Sequence, residues 1–75
     1  WYELGRAHMK EKEWKYALSA LERARQVNTY ASEIYSAMAT CFLKMNRKPD
    51  ARQMVSEALQ RDPKNAEAIR LQKQI

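Results

Sequence analysis

Glycine, proline, cysteine and histidine are all scarce in these 75 residues: one glycine (Gly5), two prolines (Pro49 and Pro63), one cysteine (Cys41) and one histidine (His8). A lone cysteine excludes an internal disulfide, and one cysteine with one histidine makes no cluster able to hold a structural zinc. One glycine cannot supply a glycine-rich phosphate loop or a nucleophile elbow, and catalysis needs several convergent groups that the chain does not advertise. Apolar runs fall far short of the ~20 residues of a membrane span, and no basic-then-apolar leader opens the chain. The expectation is a soluble intracellular protein, cytoplasmic before nuclear, that is not an enzyme, carries no cofactor or metal and makes no membrane contact.

What is abundant is charge and helix-forming residues. Fourteen Lys and Arg face nine Asp and Glu, a net charge of +5. This excess suits an acidic partner. The cations run from Arg6 to Lys73 with acids among them, the pattern of solvated helical surfaces rather than of a nucleic-acid footprint. A chain of this size forms one small domain and buries roughly 60–65% of the surface that its unfolded form exposes.

The strongest signal is a repeat of 34 residues. Trp1, Ala17 and Ala24 recur as Tyr35, Ala51 and Ala58, and Leu4, Gly5, Ala7, His8 and Leu21 recur as Met38, Ala39, Cys41, Phe42 and Val55. Large stays large and small stays small at each register, the mark of helical hairpins that bury their apolar faces only against one another. Five helices are expected: Trp1 to Lys10, Trp14 to Val27, Ser32 to Met45, Pro49 to Arg61 and Lys64 to Gln74. Pro49 and Pro63 suit first helical positions, Asp62 an N-cap and Asn46 a left-handed helix stop. In the second helix Trp14, Ala17, Leu18, Leu21, Ala24 and Val27 form one stripe, read as core. Ala17, Ala24, Ala51 and Ala58 mark close helix approaches. In the last helix Ala66, Ile69 and Ile75 form an inner face, while Gln72 and Lys73 occupy places where a further unit would carry an apolar and a small residue.

Laid out as W-x2-L-G-x2-H from Trp1 and Y-x2-M-A-x2-F from Tyr35, with Asp62-Pro63 at the end of the second unit, the chain resembles the tetratricopeptide repeat (TPR) family over essentially its whole length. His8 stands where that family has an aromatic residue, and Thr29, able to cap a helix, replaces a boundary proline. Trp1 already lies inside the first signature, so the chain is expected to be a fragment of a longer one. The resemblance implies an all-α, right-handed superhelical stack of antiparallel helix hairpins: repeat one over 1–31, repeat two over 32–65 and a capping helix over 66–75.

The resemblance also implies a protein-protein interaction module, a scaffold or adaptor segment in which the first helix of each hairpin lines a concave groove. By register the partner-binding residues are Tyr2, Arg6, Met9, Lys10, Ser36, Thr40, Leu43, Lys44 and Arg70, with Glu3, Glu33, Ala37, Glu67 and Leu71 beside them. Met9 and Leu43 form an apolar strip, and Arg6, Lys10 and Lys44 favour a peptide with acidic and apolar residues. Some TPR proteins clamp the carboxylate of a chaperone C-terminal tail; the matching places here hold Tyr2, Arg6, Ala37, Glu67 and Leu71, or, one repeat out of phase, Glu3, Glu33 and Ala37, and neither phasing assembles a clamp, which argues against that partner.

Rival readings are weaker. Recognition of RNA by repeats needs base-facing side chains at recurrent places, yet Arg6 aligns with Thr40 and Tyr2 with Ser36, which argues against nucleic acid. The segment as a spacer, or self-association through open repeat ends, is a purely structural alternative. A Cys41/His8 nucleophilic pair is set aside because both residues align with packing positions, Ala7 and Phe42.

Overall fold

The computed structural model describes residues 1–75. It contains five helices and no strand: α1 (Tyr2–Lys10), α2 (Trp14–Val27), α3 (Ser32–Lys44), α4 (Lys48–Arg61) and α5 (Ala66–Gln74). Each helix packs against the next, giving an all-helical array of hairpins.

The two hairpin turns are built alike. Lys12 and Asn46, 34 residues apart, both adopt left-handed backbone with φ of 60° and 64°. After each, the chain folds back on the finished helix: the Glu13 N–H donates to the His8 carbonyl (2.9 Å) and the Arg47 N–H to the Phe42 carbonyl (2.8 Å). This six-to-one bond satisfies carbonyls that a helix end leaves open, and it reverses the chain within three residues. Asn46 was expected as such a stop; Lys12 carries no sequence mark of one.

The turns between hairpins also match. The Asn28 side chain accepts from the Tyr30 N–H (3.2 Å), and Asp62 accepts from the Lys64 N–H (3.0 Å). Asp62 therefore organises a turn after α4 and does not cap α5. The N-cap is Asn65, whose side chain accepts from the Ala68 N–H at 3.1 Å. Pro63 lies in the turn, so α5 begins at Ala66 rather than Lys64. Thr29 caps nothing: the N-cap of α3 is Ala31, without a side-chain bond. Instead the Thr29 carbonyl receives the Tyr35 hydroxyl (2.9 Å) and Arg61 Nε (2.6 Å), while the Arg61 guanidinium lies 4.1 Å from the Tyr35 ring centre. Together these contacts join the interhelix turn to α3 and α4.

One apolar cluster runs through the array, with Leu21, Tyr35, Met38 and Cys41 its largest fully buried side chains. Ala17, Ala51 and Ala58 are wholly buried and Ala24 nearly so, as close helix approach requires. Two faces differ from expectation. Val27, assigned to the core stripe of α2, is 77% exposed as the last residue of that helix. On α5 the buried residues are Ala68 and Leu71, while Ala66 and Ile69 are exposed. The inner face is thus shifted by two positions from Ala66 and Ile69, Ile75 stays half-buried against the core as expected, and Arg70, Gln72, Lys73 and Gln74 are exposed.

The helix order creates two unlike layers. Helix α3 touches both α1 and α5, whereas α2 and α4 do not approach one another. The layer of closer spacing is the inner side of a curved stack, so α1, α3 and α5 line its concave face.

Candidate protein-interaction groove

Four residues on one side of α1 meet residues of three other helices around a cavity of about 240 Å³. Tyr2, Arg6, Met9 and Lys10 come from α1, Trp14 from the start of α2, Ala37 from α3 and Glu67 from the first turn of α5. Spacings of three and four residues place the α1 set on a single helix face. Met9 and Trp14 are half-buried against the core cluster, and they make the apolar part of the lining with buried Ala37. A shallower depression continues along α1 past Glu3 and Ala7.

The charged side chains of the groove have unequal freedom. Arg6 donates to the Tyr2 hydroxyl (3.2 Å) with its guanidinium 5.8 Å from the same ring's centre. The Tyr2 hydrogen bond first, the Tyr2 charge next and the Glu67 carboxylate last raise the Arg6 pKa above its ordinary value. Lys10 is exposed, one helical turn beyond Arg6. Thr40 Oγ1 lies 3.1 Å from the Ser36 carbonyl and 3.3 Å from Glu67 Oε1, bringing the Thr40 hydroxyl to the edge of the site.

The other expected groove residues lie elsewhere. Ser36 is buried, donating to the Glu33 carbonyl (3.0 Å) and receiving Asn65 Nδ2 (3.4 Å), so the docking of α5 takes it out of reach of a ligand. Leu43 is half-buried against the core, Lys44 and Arg70 are exposed, and none of the three lines the cavity. The Met9 and Leu43 strip is therefore interrupted: Met9 alone belongs to the groove. Leu71 is buried on the inner face of α5. Glu33 borders a separate apolar hollow of about 290 Å³ with Trp1, Val27 and Ile34. Trp14 is the groove residue that register reasoning about first helices missed. Its signal was the short turn before it, which brings the start of α2 beside the end of α1.

A wider cavity of about 580 Å³ opens between α4 and α5, where Gln72 and Ile75 are the 34-residue counterparts of Met38 and Cys41. Met38 and Cys41 are buried inside the array, so this cleft is an unfilled packing position and lacks the mixed charge of the groove. Nor does catalytic geometry emerge. Cys41 is wholly buried, and burial pushes its thiol up to about 11. His8 Nδ1 is paired with Glu13 Oε1 at 2.9 Å, with the imidazole 5.7 Å from the Tyr16 ring centre. No three His, Cys, Asp or Glu residues converge as metal ligands.

Comparison with known proteins agrees with this architecture. The tetratricopeptide repeat family model matches residues 8–75. Sperm-associated antigen 1 of Rattus norvegicus is 35% identical over 66 residues, and that of Mus musculus is 33% identical over 66 residues. Each match covers 88% of this chain and 7% of the relative, so the chain spans only a small part of the curated proteins it matches. No solved structure shows a significant match. Repeats of this kind generally mediate protein-protein interaction and are generally non-catalytic. The 34-residue register, the stacked hairpins and a family match over residues 8–75 lead to one conclusion: the chain belongs to the tetratricopeptide repeat family.

Proposed function

We propose that this chain is a scaffold or adaptor segment whose concave groove binds a partner peptide carrying acidic and apolar side chains. The observation that carries the reading is the cavity itself, where two cations one helical turn apart, Arg6 and Lys10, stand over Met9, Trp14 and Ala37. An apolar side chain of the partner removes Met9 and the Trp14 indole from water, worth about 25 cal/mol per Å² of apolar surface buried. A carboxylate beside it meets the guanidinium, which Tyr2 already holds in place, so little side-chain entropy is left to lose on binding. In this reading residues 1–31 and 32–65 are the two repeats and 66–75 a helix that closes the stack while lending Glu67 to the groove.

The test begins with a randomised octapeptide library selected on the immobilised chain, followed by fluorescence anisotropy of the strongest binder. Arg6→Glu with Lys10→Glu is expected to weaken binding about tenfold, two exposed charge pairs being reversed. Lys44→Glu, outside the cavity, is expected to leave affinity within about twofold. Equal affinity for the double variant and the parent, with unchanged helical circular dichroism, overturns the groove reading.

A further inference from the structure

We infer that Glu67 sets the specificity of the groove by requiring a basic side chain in the partner, so that the recognised segment combines an acid, an apolar residue and a base. The inference rests on the groove reading above and adds a requirement to it.

Glu67 is the one acid that lines the cavity, opposite the two cations of α1. It is placed there firmly. It sits in the first turn of α5, and Asn65 fixes that turn in three ways: its Oδ1 accepts from the Ala68 N–H (3.1 Å), and its Nδ2 donates to Ser32 Oγ (2.7 Å) and Ser36 Oγ (3.4 Å). Ser32 in turn donates to the Ala58 carbonyl at 2.9 Å, which ties the start of α5 to both α3 and α4. The Thr40 hydroxyl stands beside one carboxylate oxygen of Glu67 at 3.3 Å, its single proton shared between that oxygen and the nearer Ser36 carbonyl at 3.1 Å.

Glu67 nevertheless has no ion-pair partner. The ion pairs of the protein are Arg25–Glu22, Arg47–Asp50 and Arg61–Glu57, and His8 lies against Glu13. Arg6 feels the Glu67 charge, but its guanidinium hydrogen-bonds the Tyr2 hydroxyl and lies against that ring, without ion-pair contact to Glu67. A half-buried carboxylate with one shared hydroxyl beside it retains most of its acceptor capacity, because an ionised carboxylate has about four lone-pair sites. A partner made only of acids places like charge against it; a partner with Lys or Arg at that place completes it. Acid-only stretches, including a bare C-terminal carboxylate, are thereby disfavoured by repulsion as well as by absent contacts, which is how specificity against a related ligand is built.

The peptides selected on the chain decide the matter. They are expected to carry Lys or Arg together with Asp or Glu and an apolar residue, and replacing that base by Glu is expected to weaken binding about two- to fivefold, the worth of an exposed charge pair. Glu67→Lys is expected to reverse the order of the two peptides, and Glu67→Gln, an uncharged variant of the same size, to abolish their difference. If the base is dispensable in a peptide whose binding still fails with Arg6→Glu and Lys10→Glu, the requirement at Glu67 is overturned and the groove reading stands. If no selected peptide responds to the Arg6 and Lys10 changes, both fall.

Discussion

Gly5 is the residue at which the sequence has no latitude. A Cβ there would lie 2.7 and 2.8 Å from Cγ and Cδ2 of Leu21 and 3.4 Å from the Ala17 carbonyl, so α1 and α2 approach as closely as a missing side chain allows. Gly5→Ala gains helix propensity of up to about 1 kcal/mol but forces fully buried Leu21 aside, and the expected net loss is about 1–2 kcal/mol by urea denaturation. The counterpart Ala39, wholly buried as well, shows that the second hairpin admits one more carbon at this register. Cys41 offers a second residue-scale test. Its thiol is raised from 9.0 to about 11 by burial, so the unfolded chain gives up that proton first. This contribution to stability is complete below about pH 9 and is lost as pH rises through about 11. Cys41→Ala is expected to lack that part of the alkaline decline, read as the difference between the two stability profiles over that range.

At the scale of elements, the helices were legible because their signals are local and repeated. Ala17, Ala24, Ala51 and Ala58 announced the close contacts, and the structure buries all four. The start of α5 was not legible for a physical reason: Asp62 and Asn65 are both good capping residues, three apart, and Pro63 fits a turn as well as a first helical position. Tertiary bonds decide between them, since only Asn65 reaches Ser32 and Ser36 while its other atom caps Ala68. The inner face differs as well, with Ala68 and Leu71 buried where Ala66 and Ile69 were expected. Asn65→Ala removes the cap and the polar bridge together. It is expected to cost about 1–2 kcal/mol, with amide exchange rising in α5 before the rest of the molecule. Uniform exchange across all five helices would show that α5 is no separate unit.

At the scale of the molecule, function depends on how the layers meet. Tyr2, Arg6, Met9 and Lys10, grouped by the 34-residue register, line one cavity because they share one face of one helix. The register could not foresee that α5 buries Ser36, that Leu43 and Lys44 lie beyond the cavity or that Trp14 enters from α2, since each depends on where a neighbouring helix docks. The net charge of +5 is likewise a property of the whole, whereas the groove is locally mixed, two cations and Glu67 around an apolar floor. The most direct measurement is a titration of the isotopically labelled chain with a selected octapeptide, followed by amide and indole NMR shifts. Binding in the groove moves Tyr2, Arg6, Met9, Lys10, Ala37, Thr40, Glu67 and the Trp14 indole together, with a common affinity. Shifts confined to the outer faces of α2 and α4, or to the cleft around Gln72 and Ile75, contradict it.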